Sequence, residues 1–388
     1  MITAVHVITQ LELGGAQENT LTTCAGLDRR RFRVSLWSGS GGILDAEAAQ
    51  IPELDRQLLP SLVRPVRPGR DARCLAELVV RLKKARRAHQ AAGHDPRAFI
   101  VHTHSSKAGI LGRAAARAAG VPIIVHSIHG FGFHPGQHPA KHALFVEAER
   151  AAARLTDAFI SVSRASLDEA LSRHIVRPDQ RSLVIRSGFD LEAFLAETAG
   201  GPGLRRELGL GPEDEVLVSV ANLKPQKDPL TLVAAMAILH QRRPGAVMLY
   251  AGDGELRGVV EAEITRRGLG SCFRLLGWRR DIPALIAAGD VVVLSSIYEG
   301  LPRSAVQAVL AERPFVGTRV DGTPEIIRHG KNGYLVDPED PEALAGAMEQ
   351  ALRVHPVDPE DRVRVRAWDA KTMVQEQEQL YEELVRSR

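Results

Sequence analysis

Short runs rich in β-branched residues alternate with longer amphipathic or alanine-rich runs along most of the chain. This alternation favours βαβ units, because a parallel pair of strands needs a crossover that returns the chain to the starting edge. In the first half, strands are expected at residues 4–9, 32–38, 99–103, 121–127, 158–162 and 183–186. Helices are expected at residues 16–27, 71–90, 107–119, 139–155 and 163–173. The pattern predicts an α/β protein with a doubly wound parallel sheet.

The alternation then repeats. Strands are expected at residues 216–220, 247–251, 273–276, 291–294, 315–318 and 334–336, with helices at 229–241, 255–267, 283–287 and 301–311. A Gly/Pro-rich passage from Gly200 to Gly203 is the best linker candidate. Because 388 residues exceed one ordinary core, we expect two Rossmann-like domains facing each other across a cleft, at 1–187 and 188–365. Residues 366–388 should form a helix that packs back on the first domain.

Cysteine content and hydropathy restrict the cellular setting. Cys24, Cys74 and Cys272 are too few and too scattered for a disulfide framework or a CxxC metal site. The N-terminus lacks the basic and apolar regions of a signal peptide, and no apolar run reaches the roughly 18 residues that a spanning helix needs. A cytoplasmic protein is expected, at most peripheral at the inner face of the membrane.

Charge is divided unequally along the chain. Residues 1–194 hold 26 Lys and Arg against 18 Asp and Glu, whereas 195–388 hold 24 against 29, giving +8 and −5. The basic half is expected to face an anionic partner such as phosphate groups or a membrane surface. Charge alone would also suit nucleic acid, which we do not expect as a partner. Chance scatter of charge stays open as an alternative.

One predicted helix concentrates this charge. Between residues 71 and 90, an apolar stripe is flanked by Arg73, Arg81, Lys83, Lys84, Arg86 and Arg87. The first interpretation is a helix packed on the core with a solvated basic face. The alternative is attraction of that face to anionic lipid headgroups.

Ligands of open parallel sheets bind beyond the carboxyl ends of the strands, so the residues that follow each strand are the candidates for a binding site. Gly14 and Gly15 follow the first strand and precede a helix, where backbone N–H groups can approach a phosphate. They could equally serve the turn alone. Lys227 follows a strand of the second half and is a compact cation suited to a diphosphate, although a solvated lysine is the simpler interpretation.

The strongest local signal follows the apolar run at 291–294, where Glu299-Gly300-Leu301-Pro302 leads into a predicted helix. Pro302 suits a first helical turn, where its missing N–H has no cost. A carboxylate at Glu299 can accept hydrogen bonds from sugar hydroxyls, and the N–H groups of the helix start can receive phosphate oxygens. A helix-capping role for Glu299 is the structural alternative.

Several motifs in a fixed order carry a resemblance over nearly the whole chain. They are Gly14-Gly15, His129-Gly130, residues 222–227, 252–254, 277–282, 299–302 and 321–325. In this set the chain resembles the retaining glycosyltransferases of family 4, which have the two-domain GT-B fold. The stretch from His129 to Pro135 is similar to bacterial members that build surface polysaccharides.

The resemblance implies roles for matching positions. The N-terminal domain would be the acceptor side, with Gly15 at the diphosphate and His129 near the transferred sugar. The C-terminal domain would bind the nucleotide sugar, with Lys227 at the leaving phosphates and Glu299 at the sugar hydroxyls. The implied catalytic residues are His129, Lys227 and Glu299. The implied donor-binding residues are Gly14, Gly15, Asn222, Lys227, Gly252, Arg279, Glu299, Gly300, Leu301 and Gln307.

Two positions depart from the family pattern. Asn222 replaces an arginine that precedes the lysine, which removes a phosphate-binding cation. Gln307 replaces the second glutamate of the Glu-x7-Glu pattern, the carboxylate that would hold the ribose hydroxyls. These changes bear on donor identity and affinity more than on the fold. Arg303 is near enough in sequence to supply compensating charge.

A cluster of histidines raises the question of a metal. It comprises His102, His104, His126, His129, His134, His138 and His142. No carboxylate or cysteine joins them at ligand spacing, and a DxD motif is absent, so we expect neither metal nor cofactor. Lys227 and helix N-termini would then neutralise the donor phosphates.

The expected function is transfer of a sugar from a nucleoside diphosphate donor, with UDP favoured, to a glycan or lipid-linked acceptor in surface polysaccharide assembly. Since no carboxylate is an evident nucleophile, same-face attack is favoured, with positioning and charge stabilisation from the protein. Two alternatives stay open. One is a catalytically weak or inactive scaffold subunit of a polysaccharide-assembly complex, and the other is a GT-B sugar-nucleotide hydrolase or epimerase.

Overall fold

Two parallel sheets organise the computed structural model, which describes residues 1–134 and 136–388. Pro135, the last residue of the stretch that begins at His129, lies outside the described residues. The chain forms one unit from Met1–Phe189 with Trp368–Arg388 and a second unit from Asp190–Ala367. The first unit carries 29 Lys and Arg against 21 Asp and Glu, and the second 21 against 26. The excess of basic residues therefore belongs to the first unit.

The first unit holds a sheet of seven strands among the described residues. The strands are β1 (Ile2–Ile8), β2 (Phe32–Ser38), β3 (Asp55–Leu58), β4 (Phe99–His104), β5 (Ile123–Ile128), β6 (Ala158–Ser161) and β7 (Arg181–Val184). The helices are α1 (Gly15–Gly26), α2 (Asp45–Ala49), α3 (Pro68–Ala91), α4 (Ser106–Ala118), α5 (Pro139–Ala153) and α6 (Arg164–Ser172). The sheet order is β3-β2-β1-β4-β5-β6-β7, and every pair is parallel.

The second unit repeats this plan with six strands in its described residues. Its strands are β8 (Glu215–Val220), β9 (Ala246–Ala251), β10 (Phe273–Gly277), β11 (Val291–Leu294), β12 (Phe315–Thr318) and β13 (Gly333–Val336). Its helices are α7 (Leu191–Thr198), α8 (Gly201–Glu207), α9 (Pro229–Arg242), α10 (Arg257–Arg266), α11 (Ile282–Ala288), α12 (Arg303–Leu310), α13 (Thr323–Ile326), α14 (Pro341–Val354) and α15 (Pro359–Arg366), with a 3-10 turn at Pro225–Lys227. The sheet order is β10-β9-β8-β11-β12-β13.

In both sheets the order in which strands are added reverses at one place. This place lies between β1 and β4 in the first unit and between β8 and β11 in the second. Such a reversal leaves a crevice beyond the carboxyl ends of the two strands, because their connections run to opposite sides. The crevices are where each sheet can best present side chains to a ligand.

The core of the first unit lies on both faces of its sheet. Ala4 and Ile8 of β1 belong to one apolar cluster, whereas Val5 and Val7 belong to another. Alternate side chains of a strand point to opposite faces, so β1 contributes to both. The last helix, α16 (Ala370–Arg386), packs against α1 and places Tyr381 in the first of these clusters. Its burial on this face closes the core of the first unit.

One strand escaped the sequence analysis. β3 reads Asp-Arg-Gln-Leu and is partly exposed at the edge of its sheet. An edge strand keeps one side unpaired and tolerates charged residues, which often protect such edges from further pairing. Its composition therefore gave no β signal.

The expected linker at Gly200–Gly203 is wrong, since this passage starts α8 within the second unit. Gly201 is buried, and a Cβ atom built there would lie 2.9 Å from the carbonyl carbon of Ala287. The glycine thus lets α8 approach the end of α11 closely, which explains a composition that resembles a linker. The units are joined instead at Phe189–Asp190 and Ala367–Trp368.

This contact predicts opposite effects for two neighbouring glycines. Gly201→Ala should lower the free energy of unfolding by about 1–3 kcal/mol, because a methyl group must enter an occupied space. Gly203 is exposed, with its nearest atom 4.0 Å away, so Gly203→Ala should be neutral or stabilise by up to about 1 kcal/mol. Urea unfolding followed by circular dichroism measures both, and equal midpoints for the two variants would contradict the contact.

Candidate functional site

The crevice of the second unit brings together the two residues that the sequence marked most strongly. Lys227 ends the 3-10 turn after β8, and Glu299 lies in the loop after β11. The Nζ atom of Lys227 forms an ion pair with Oε1 of Glu299. The side chains are 20% and 7% exposed, so little water screens the pair. Since β8 and β11 are neighbours, residues 72 positions apart meet at one sheet edge.

Further bonds hold the Glu299 carboxylate in place. The Ser296 hydroxyl donates to Oε1 at 2.6 Å, and the Glu299 backbone N–H donates to the carboxylate of Asp321. The bonds from Lys227 and Ser296 both use Oε1, and no residue of 1–134 or 136–388 hydrogen-bonds Oε2. Glu299 therefore keeps one acceptor oxygen for a ligand. The alternative role as a helix cap is not seen, because α12 begins at Arg303 with no side-chain cap.

The loops after β8 and β11 are tied to each other. The Ile297 N–H donates to the Gln226 carbonyl at 2.8 Å, and the Gln226 side chain donates to the Tyr298 carbonyl at 3.0 Å. The Ser295 hydroxyl lies 2.9 Å from the Lys227 carbonyl oxygen. These bonds fix the backbone on both sides of the ion pair, so its geometry does not depend on the long lysine side chain alone.

Two backbone N–H groups lie next to Glu299. Gly300 and Leu301 are buried, and among the described residues their N–H groups donate to no acceptor. Pro302 occupies the N-cap position of α12 rather than its first turn. The two donors precede the helix and could receive phosphate oxygens.

The other predicted residues of this unit lie further from the pair. Gly252 packs against the loop that contains Asn222, and a Cβ there would lie 1.9 Å from the Ala221 carbonyl oxygen. Arg279 follows β10, two strands away from β8. It is held by Asp281, with Nε 2.8 Å from Oδ1, and this hydrogen bond keeps the pKa of the Asp281 carboxyl below its usual value. Gln307 is half-buried in the middle of α12.

In the first unit, the predicted glycines stand at the start of α1. Gly14 is the N-cap residue, and its φ of 173° is ordinary extended backbone. Gly15 opens the helix and is exposed. Helix N-termini carry partial positive charge and unsatisfied N–H groups. The position therefore suits a phosphate group.

His129 follows β5 and takes part in a chain of imidazole rings. Its Nε2 lies 3.1 Å from Nδ1 of His104, whose Nε2 lies 3.0 Å from Nδ1 of His6. His104 ends β4 and His6 lies on β1, so the chain crosses the crevice of the first unit. Burial lowers the pKa of His129 to about 4, which leaves its ring neutral near pH 7.

The histidine cluster of the sequence is thus divided. His102, His104, His126 and His129 lie on or after β4 and β5, whereas His138 caps α5. His6 was missed by the sequence analysis, because it lies in the apolar run of β1 and both of its neighbours are valines. The pairing of His6 with His102 across β1 and β4 became visible only with the strand order.

One group of histidines lies close enough together to hold a metal ion. Ligand atoms of His6, His102 and His104 lie within 4.8 Å of one another, the sole such group found in the described part of the chain. However, Nδ1 of His102 is bonded to the Tyr381 hydroxyl at 2.5 Å and its Nε2 to Ser127 at 2.8 Å. A metal ion here would have to break one of these bonds, so the donor set fits hydrogen bonding better.

Two models of known protein families match most of the chain. Residues 14–188 match the model of the glycosyl transferase 4-like domain, and residues 214–353 match that of glycosyl transferases group 1. A protein of Escherichia coli named UDP-Gal:alpha-D-GlcNAc-diphosphoundecaprenol alpha-1,3-galactosyltransferase is 31% identical over 351 residues. That match covers 89% of this chain and 87% of the relative.

The chain belongs to the family 4 glycosyltransferases. Two solved structures agree in fold. One is Alr3699/HepE of Anabaena in complex with UDP-glucose, with a TM-score of 0.80, 22% identity and coverage of 100% of both chains. The other is a sucrose-phosphate synthase from Thermosynechococcus elongatus, with a TM-score of 0.83, 20% identity and coverage of 100% of both chains.

These likenesses confirm the predicted fold class, two Rossmann-like parallel-sheet domains of the GT-B type. The family models and the relative from Escherichia coli confirm the predicted enzyme class at the level of a glycosyltransferase. In the described ranges, no helix combines the length and apolar character that a bilayer crossing requires.

Proposed function

We propose that the chain is a retaining, metal-independent glycosyltransferase that moves a hexose from a UDP-sugar to a lipid-linked acceptor of surface polysaccharide assembly. The observation that carries the proposal is the Lys227–Glu299 pair beside the N–H groups of Gly300 and Leu301. One crevice then offers a cation and two N–H donors for phosphate, together with a carboxylate oxygen for sugar hydroxyls. A diphosphate joined to a sugar requires that combination of partners.

The ion pair explains how the free site tolerates both charges. Before the donor binds, Lys227 and Glu299 neutralise each other in a poorly hydrated place. A diphosphate can then attract Lys227, while Glu299 accepts sugar hydroxyls through Oε2. Charge that develops on the leaving diphosphate meets donors already in position, which is the main source of electrostatic catalysis. This preorganisation supports turnover without a metal ion.

The same arrangement favours same-face attack. Oε1 of Glu299 is bonded to Lys227 and Ser296, and Oε2 is assigned to the sugar hydroxyls, which leaves no oxygen of Glu299 for nucleophilic attack. In same-face attack, the acceptor hydroxyl approaches from the side of the leaving diphosphate and passes its proton to a phosphate oxygen. The new glycosidic bond forms as the sugar–phosphate bond breaks, and configuration is retained.

The acceptor class rests on the relative from Escherichia coli, whose name specifies UDP-Gal and an acceptor carried on diphosphoundecaprenol. At 31% identity over most of both chains, the donor nucleotide and acceptor carrier are reasonable expectations for this chain, whereas the sugar and linkage can differ. The basic first unit is the suitable side for an anionic lipid diphosphate.

A donor and acceptor panel tests the proposal. The protein is incubated in EDTA with UDP- and GDP-sugars, with and without a sugar-diphosphoundecaprenol acceptor, and nucleotide release is measured. We expect UDP release that depends on the acceptor, with a product of retained configuration by NMR. Equal release without acceptor would indicate a hydrolase or epimerase, and absence of turnover and of donor binding would indicate a scaffold. Activity lost in EDTA and restored by Mn²⁺ would refute metal independence.

Two substitutions separate binding from catalysis. Gln307→Glu should restore a second acceptor oxygen for the ribose and gain about 1–2 kcal/mol of donor binding, seen as a lower KM with little change in kcat. Glu299→Gln should instead reduce kcat, because it acts on the transferred sugar and breaks the pair with Lys227. Glu213→Gln, at an exposed residue, is the control and should change neither. Loss of turnover in folded Gln307→Glu would overturn the assigned ribose position.

Attachment to anionic membranes is the second part of the proposal. On α3, Ala76, Val80, Lys83, Lys84 and Arg87 are exposed and spaced at three or four residues. They form a basic surface that also holds the apolar side chains of Ala76 and Val80, and Val80 is 67% exposed. Residues at such spacing share one helix face, and a basic face with an apolar centre suits a headgroup layer.

Liposome co-sedimentation tests this attachment. Lys83, Lys84 and Arg87 are changed to Ala together, whereas Arg86 is kept because its guanidinium donates to the Ala119 carbonyl at 2.6 Å. We expect weaker binding to vesicles rich in phosphatidylglycerol, with about 1 kcal/mol lost for each charge at low salt, and binding of the unchanged protein should weaken in high salt.

The matched control changes three exposed basic residues elsewhere, Arg206, Lys331 and Arg386, to Ala. It removes the same net charge without touching α3. Equal loss of binding in both triple variants would show that only overall charge matters. Unchanged binding in the α3 variant would refute the surface.

A further inference from the structure

We infer that His6 and His104 form a directional hydrogen-bond chain that fixes His129 in the Nδ1–H tautomer, so that His129 presents a donor to the sugar. The inference rests on the proposed function for the role of His129 alone. The direction of the chain follows from the structure itself. His6 and His104 are positioning residues, because they act through His129.

The chain is continuous, and two of its three rings are buried. Nδ1 of His6 lies 3.0 Å from Nε2 of His104, and Nδ1 of His104 lies 3.1 Å from Nε2 of His129. His6 and His104 are 0% and 1% exposed, and His129 is half-buried. The rings come from three neighbouring strands or their ends, β1, β4 and β5, which are rigid elements of the sheet.

All three rings are neutral near pH 7. Burial, with a smaller contribution from Arg29, lowers the pKa of His6 to about 3. Burial also lowers the pKa of His104 well below its usual value and that of His129 to about 4. A neutral imidazole has one donor nitrogen and one acceptor nitrogen. Once one ring of the chain is assigned, the other two are therefore assigned as well.

The far end of the chain decides its direction. Nε2 of His6 is fully buried and has no hydrogen-bond partner within residues 1–134 and 136–388. A buried N–H without an acceptor is rarer than a buried acceptor without a donor. Nε2 of His6 is therefore the bare nitrogen, and its proton is on Nδ1. His6 donates to His104, His104 donates to His129, and the proton of His129 must be on Nδ1.

This direction has a consequence for the ligand. With Nε2 occupied as an acceptor, the Nδ1–H of His129 is left to donate to an oxygen of the sugar. A half-buried neutral histidine without such a chain can exchange between two tautomers, and one of them offers a lone pair instead of a donor. Fixing the tautomer before the nucleotide sugar binds is preorganisation of the kind that favours catalysis.

The tautomer can be measured in the free protein by NMR of ¹⁵N-histidine-labelled enzyme, with the His129 signals assigned by their loss in His129→Gln. We expect the proton of His129 on Nδ1. A proton on Nε2, or an equal mixture, overturns the inference whether or not the enzyme turns over. Bound zinc found by elemental analysis, at one ion per chain and lost in His6→Leu, would overturn it as well.

A pair of variants tests the cause. In His104→Asn the amide nitrogen takes about the place of Nδ1 and can still donate to His129, whereas His104→Leu cannot. We expect His104→Leu to mix the tautomers of His129 and lower kcat by about three- to tenfold, the effect of one hydrogen bond. His104→Asn should restore the tautomer and bring kcat back to within about twofold.

The outcomes also separate this inference from the proposed function. If the tautomer is fixed in the wild type and mixed in His104→Leu while kcat is unchanged, His129 does not serve the reaction and the positioning role is refuted. If the enzyme shows no glycosyl transfer at all, the proposed function fails, and the NMR result still decides the chain. If His104→Leu does not fold, the wild-type tautomer and His104→Asn remain decisive.

Discussion

Parallel pairing is the constraint on which the rest of this structure depends. Every strand of a parallel sheet ends at the same edge, so the loops after the strands gather there whatever their distance in sequence. Lys227 and Glu299 meet in this way after β8 and β11, and His104 at the end of β4 meets His129 after β5. The placement of the candidate residues in both units thus follows from topology. Hydrogen bonds from Ser295 and Ser296 and the close contact at Gly252 then fix the conformation of the loops.

Where the sequence and the structure agree, local patterns and tertiary environment act in the same direction. β11 and β12 are fully buried apolar runs, and their bounds follow from composition. The signal of Glu299 was strong for the same reason, since it lies in the loop that follows such a run, where a parallel sheet presents side chains to a ligand. The ion pair with Lys227 could be expected only as proximity, because the two residues belong to different loops. Ser295 and Asp321 bond to the backbone of Lys227 and Glu299, and Ser296 bonds to the Glu299 carboxylate itself.

Where they differ, tertiary contacts override local preference. A Gly/Pro passage looked like a linker, yet Gly201 is needed for close contact between two helices. β3 carries no β-branched residue and is a strand because β2 offers it an edge. His6 gave no signal on its own, since a single histidine in an apolar run is usually a core residue. Its partner is 98 positions away, and only the strand order joins them.

The way the two units are joined has a consequence for synthesis. The first unit is interrupted by the whole second unit, and at the crossing the Phe189 N–H bonds to the Trp368 carbonyl at 3.1 Å. Tyr381 and the rest of α16 fill one face of the first sheet, yet they are translated after residues 190–367. Domains usually fold in the order of their synthesis. Here the nascent first unit must wait with an apolar face uncovered, and the second unit can finish folding before it.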